Sequence, residues 1–138
     1  MLIGLDTNIL VRYLAQDDAI QSPAATHLIE HRLSQDEPGF VSIVAMAELA
    51  WVLHRAYRVR GAALADLIER LLFTDVLAIE HPDLVFAAAL DLRARTADFA
   101  DCLIALLGTQ AGCTVTQTFD RAAARLPGYA LLRSGTAP

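Results

Sequence analysis

The stretch LIGLDTN, residues 2–8, decides how the rest of the chain is read. Leu2 to Leu5 is apolar enough for a short buried strand, and the run stops on an acid, Asp6, before Thr7 and Asn8. A short helix from Asn8 to Ala15 should follow, with Ile9, Val11, Tyr13 and Leu14 as its apolar residues. A buried strand that ends on a carboxylate and passes into a helix fits an α/β layer fold. Open sheets of that kind hold their ligands beyond the carboxyl ends of the strands.

Working outward, the same alternation continues. Ser22 then Pro23 reads as a helix start, Ser as N-cap and Pro in the first turn, with a helix to about Leu33 closed by SQDEPG. Phe40 and Val41 suggest a strand edge. Ser42 is placed to cap a long helix over Ile43–Tyr57, and Gly61 opens another to about Phe73 with amphipathic spacing. Val76–Ile79 reads as a buried strand, Pro82 to Arg95 and Asp98 to Gln110 as helices, and Gly112 as a stop. Cys113–Thr116 and Ala130–Leu132 complete the set as strands. Short apolar strands between helices predict a parallel sheet. The length of 138 residues suits one domain over residues 1–133, with a flexible tail at 134–138.

Composition removes several function classes. Hydrophobic residues make up 55% of the chain, yet no run of eighteen or more is free of polar residues, which argues against a membrane span. The N-terminus has no basic region and meets an acid early, so no signal peptide is expected and the cytoplasm is the default location. Cys102 and Cys113 sit in apolar runs and read as buried free thiols. Neither they nor His27, His31, His54 and His81 have zinc-site spacing. The net charge is -5, from 16 acids against 11 basic residues, all of them Arg. That balance disfavours a passive nucleic-acid binder, though not an enzyme that meets phosphates through metal ions and a few arginines.

Five acids fall in apolar contexts: Asp6, Glu48, Asp98, Asp101 and Asp120. An ionised carboxylate buried without counter-charge costs several kcal/mol. If the fold gathers them, a hard divalent cation is the expected partner. Asp6, Asp98 and Asp120 each also fit a helix-capping role, which leaves one carboxylate oxygen free. Glu48 has Val44, Ala45, Trp51 and Val52 as its helix neighbours, all apolar, which favours a site role. Asp101 shares its helix face with Ala105 and Gly108, a small-residue strip with room for a substrate or a neighbouring backbone. Thr116 and Thr118 add hydroxyls that can orient a carboxylate.

The ordered set LDTNILVRYL, the Glu48 helix, DFADCLIA and TFD resembles the PIN-domain ribonucleases, and within them the VapC-like toxins of toxin–antitoxin pairs, over about residues 2–133. The resemblance implies a three-layer α/β/α sandwich with a central, mainly parallel sheet and an acid cluster that binds Mg2+ or Mn2+. It also implies cleavage of RNA, a homodimer, and a small antitoxin in the toxin groove. Carried over by motif position, Asp6, Glu48, Asp101 and Asp120 are the metal ligands and Asp98 an auxiliary acid. Thr7, Asn8, Thr116 and Thr118 are supporting polar residues.

The expected chemistry is hydrolysis by metal-activated water, leaving 5′-phosphate and 3′-hydroxyl ends. Arg12 is a candidate substrate contact, and with Arg55, Arg58 and Arg60 it could flank the site or bind an acidic partner, while Arg93, Arg95, Arg121 and Arg125 form a second group; solvated helix faces are the better reading for most of these. Two other readings compete. One is a catalytically silent RNA- or partner-binding module on the same fold. The other is an aspartyl phosphatase, which position 8 disfavours, because it holds Asn where a second Asp is wanted.

Overall fold

Strand β1 is only Ile3–Gly4, and helix α1, Thr7–Ala15, follows it at once because Asp6 caps the helix. The structure is a computed structural model and describes residues 1–95 and 97–133; the tail expected at 134–138 lies outside the described residues. In chain order come α2 (Gln21–His27), β2 (Gly39–Val41), α3 (Ile43–Tyr57), α4 (Gly61–Leu72), β3 (Leu77–Ile79) and α5 (Pro82–Ala94). Then follow α6 (Phe99–Gln110), β4 (Thr116–Thr118), a 3-10 turn at Ala123–Arg125 and β5 (Tyr129–Leu131).

Among the described residues every strand pairing is parallel, as the alternating pattern predicts. In the first ladder β2 lies between β1 and β3, with Ile3 opposite Gly39 and Val41 opposite Ile79. In the second, β4 pairs with β5, Thr116 opposite Tyr129. Among the described residues the hydrogen bonding falls into these two ladders. With its helices the chain forms a three-layer α/β/α arrangement.

Local chemistry explains where the elements begin. The Ser42 hydroxyl accepts from the Ala45 N–H at 3.0 Å, and the Glu80 carboxylate accepts from the Ile43 N–H at 2.8 Å. Two of the four unpaired donors at the start of α3 are thereby satisfied; a cap of this kind contributes about 1 kcal/mol. Helix α2 corrects the expected start. Its first N–H groups are met by Asp18, whose Oδ1 accepts from Ile20 at 3.0 Å and Gln21 at 2.7 Å. Ser22 is buried within the first turn, and Pro23 beside it lacks a donor that this turn would leave unpaired. The segment ends in one π-helical turn, Leu28–Arg32.

Strand β4 begins three residues later than expected. After Gly112, at φ 102°, the chain is still turning through Cys113, which is exposed and not the buried thiol its neighbours suggested. Cys102 is buried as expected.

Leu10, Val41, Met46, Leu49, Ile68, Leu71 and Val85 are fully enclosed and join α1, β2, α3, α4 and α5 in one continuous core. Each such side chain contributes about 1.5–3 kcal/mol by leaving water. At the surface, Arg93 of α5 clamps α4 through Asp66 (2.6 Å) and Glu69 (2.7 Å). No helix among the described residues is long and apolar enough to cross a membrane.

Candidate active site

Three acids converge where α6 begins and β4 ends. Asp98 is the N-cap of α6, its Oδ1 accepting from the Asp101 N–H at 3.1 Å, which leaves Asp101 on the first turn. Just past β4, the Thr118 hydroxyl oxygen accepts from the Asp120 N–H at 3.0 Å. Asp120 in turn accepts through Oδ1 from Ala122 (2.8 Å) and Ala123 (3.3 Å). Asp98, Asp101 and Asp120 line one cavity of about 240 Å³, floored by the buried Ala123 and Leu126.

Asp101 feels the two acids beside it. Burial, then the carboxylates of Asp98 and Asp120, raise the Asp101 pKa above its ordinary value of 3.8. Both causes disfavour the ionised form of Asp101, which a nearby positive charge would relieve.

Tyr129 of β5 belongs to the same locality and was not singled out in the sequence. Its hydroxyl donates to the Asp101 backbone carbonyl at 2.8 Å. Burial, then the surrounding Asp101, Cys102, Asp98 and Asp120, push its pKa up to about 12. The signal for it was the small-residue strip on α6. A Cβ on Gly128 (φ 89°) would stand 3.4 Å from the Ala105 Cβ, and one on Gly108 would stand 2.8 Å from the Thr116 hydroxyl. The strip is therefore filled by the β4–β5 ladder, and the substrate alternative for it drops out.

Asp6, Thr7, Asn8 and Arg12 belong to α1 and its cap, and Glu48 to α3. Asp6 caps α1 through Oδ1, which accepts from the Thr7 N–H at 2.7 Å, and its side chain is exposed; Thr7 is buried and Asn8 exposed. Glu48 lies on α3, a helix that packs on both α1 and α6. Its apolar neighbours do not bury it: Val44 is 74% and Trp51 57% exposed, and Glu48 is exposed with them. Asp6 and Glu48 do not line the cavity that holds the other three. The starting premise of buried acids is thus corrected: Asp101 is half-buried, and Asp6, Glu48, Asp98 and Asp120 face water. Arg12 is engaged by Asp17 at 3.1 Å, Gln21 at 2.9 Å and the Tyr57 hydroxyl at 3.4 Å, so its guanidinium ties α1 to the end of α3.

The donors suit a hard cation by type, since all are carboxylate oxygens with no His or Cys among them. Asp6 and Asp98 each spend Oδ1 on a helix cap and Asp120 spends it on the turn at Ala122 and Ala123, and Oδ2 of each carries no hydrogen bond among the described residues. As the side chains stand, no three His, Cys, Asp or Glu residues among the described residues are close enough together to hold one ion.

Comparison with known proteins is consistent with this geometry. The PIN domain family matches residues 3–129, nearly the whole chain. Comparison with curated proteins gives no match. The chain therefore belongs to the PIN domain family, and its fold is of the nuclease type.

Proposed function

We propose that this protein is a Mg2+- or Mn2+-dependent endoribonuclease, the VapC-like toxin of a toxin–antitoxin pair. The observation that carries the reading is the convergence of Asp98, Asp101 and Asp120 in one small cavity of a PIN domain. In this account Asp6, Glu48, Asp101 and Asp120 are the catalytic and metal-binding acids, and Asp98 assists. A bound Mg2+ or Mn2+ would supply the positive charge that admits an anionic phosphodiester and activates a water towards it.

The chain's own residues do the positioning. Thr118 fixes the backbone of Asp120, the N-cap of Asp98 fixes the first turn of α6, and Tyr129 holds the carbonyl of Asp101. Asp98 keeps one oxygen on the N-terminus of α6 and one free to meet a ligand. A cognate antitoxin, a homodimer and a cytoplasmic location belong to the same proposal.

The test is RNA cleavage by the purified protein. Activity should need Mg2+ or Mn2+, stop with EDTA, return when the ion is restored, and leave 5′-phosphate ends. RNA that is bound but never cut, with either ion present, would instead favour the silent binding module. That second reading has one observation on its side, the absence of a preformed three-ligand cluster among the described residues.

A further inference from the structure

A larger cavity of about 640 Å³ opens between α3, α4 and the α5–α6 junction. It shares Ala97 and Asp98 with the acid-lined cavity, so the two adjoin at the start of α6. Its volume falls in the range that accepts a drug-sized ligand, which includes a nucleotide. The floor is apolar, with the buried Leu64 and Phe99.

The lining is unusual for this chain. A protein of net charge -5 here presents Arg60, Arg93 and Arg95 against one carboxylate, Asp98. Arg93 is already committed to Asp66 and Glu69. Arg60 and Arg95 have no ion-pair partner among the described residues. One wall is Trp51, 57% exposed, with the Arg55 guanidinium 5.5 Å from its ring centre. Trp51 stands three residues beyond Glu48 on α3, so the two are neighbours on the helix surface. An exposed indole, unpaired arginines and an apolar floor together match the chemistry of single-stranded nucleic acid, whose bases stack and whose phosphates are anionic.

We infer that this groove holds a single-stranded RNA segment next to the cleavage site, with a base against Trp51 and phosphates at Arg60 and Arg95. The inference rests on the nuclease reading for the direction the strand takes, into the acid-lined cavity. It makes the groove a determinant of which RNA is held.

Trp51 is the chain's one tryptophan, so its emission reports on the groove directly. Asp101→Asn protein in Mg2+ is titrated with a short labelled single-stranded oligoribonucleotide, reading oligonucleotide anisotropy and Trp51 emission together. Both should saturate at the same concentration, with emission quenched. Adding Arg60→Gln and Arg95→Gln should weaken binding about tenfold. The salt dependence should fall by about 1.4, two contacts at roughly 0.7 each for a single strand. Binding seen by anisotropy with Trp51 emission unmoved and the Arg variants unaffected overturns the inference. So does a lack of any binding, which leaves the groove to a protein segment. Cleavage by the wild type is scored separately: cutting with a silent groove sinks this inference alone, and a responsive groove without cutting sinks the nuclease reading alone.

Discussion

The Tyr129 hydroxyl donates a 2.8 Å hydrogen bond to the backbone carbonyl of Asp101, across 28 residues of sequence. It ties the last strand to the first turn of α6, the turn that presents the half-buried carboxylate of the acid cluster. Strand and helix approach this closely because Gly128 and Ala105 are small at the crossing. The position of Asp101 therefore depends on the C-terminal ladder as well as on its own cap.

Tyr129→Phe should destabilise the protein by about 1 kcal/mol, the usual net worth of such a bond, while leaving the fold intact. The alkaline limb of the stability curve gives a second readout. Folding raises the Tyr129 pKa from 10.0 to about 12, so its contribution is complete below pH 10 and is lost as pH climbs towards 12. Denaturant midpoints measured across that window should fall more steeply for wild type than for Tyr129→Phe. Equal slopes would show that Tyr129 does not titrate as described.

Asp101→Asn should raise the melting temperature in metal-free buffer at neutral pH. The Asp101 pKa is raised in the fold by burial, then by Asp98 and Asp120, so its ionised form costs stability that is recovered only as pH falls towards 3.8. Mn2+ should reverse the ranking, because a ligand that binds only the native state stabilises it, by about 2.7 kcal/mol at a hundred times its Kd. If Mn2+ stabilises both proteins equally, the ion is bound elsewhere.

Thiol chemistry should separate the two cysteines. Burial, then Asp91, Asp101 and Asp98, push the Cys102 pKa up to about 12, whereas Cys113 is exposed in the turn before β4. A thiol reagent at neutral pH should modify one residue quickly, identified by mass as Cys113, and the second only after denaturation. Rapid loss of both thiols from the native protein would contradict the placement of α6.

Ser42→Ala should cost about 1 kcal/mol, a shift of roughly 4 °C in Tm for a domain of this size. Glu80→Ala should cost at least as much, since it strands the part-buried Ile43 N–H. Differential scanning calorimetry of the two variants checks both values, and an unshifted Tm for either would remove that residue from the α3 cap.

Helix α3 was legible in full from the sequence, because Ser42 and a continuous apolar run mark its start and extent without competition. Glu80 was not, since a carboxylate after LAI carries no local sign that it reaches the α3 N-terminus 37 residues away. Glu48 exposed a limit of neighbour counting: apolar residues one turn away argue for burial only if they are buried themselves, and Val44 and Trp51 are not. The start of α2 was misplaced because Asp18 and Ser22 are both good caps, and only tertiary packing decided that Ser22 should be enclosed. Strand β4 slid towards Thr118 because a three-residue strand is set by its partner, here Tyr129–Leu131, and not by its own propensity. The acids at 98, 101 and 120 were legible as candidates, whereas the small cavity they share, which Asp6 and Glu48 do not line, depended on how α6 meets the end of β4.

In the proposed mechanism the acids at the start of α6 and the end of β4 carry RNA cleavage. The direct test is the cleavage rate of Asp101→Asn and Asp120→Asn beside wild type, in saturating Mg2+ or Mn2+, with circular dichroism confirming that each variant is folded. Both variants should lose at least about a hundredfold, the scale on which removal of a single group that stabilises the transition state is felt. Folded variants that cut RNA as fast as wild type would contradict it.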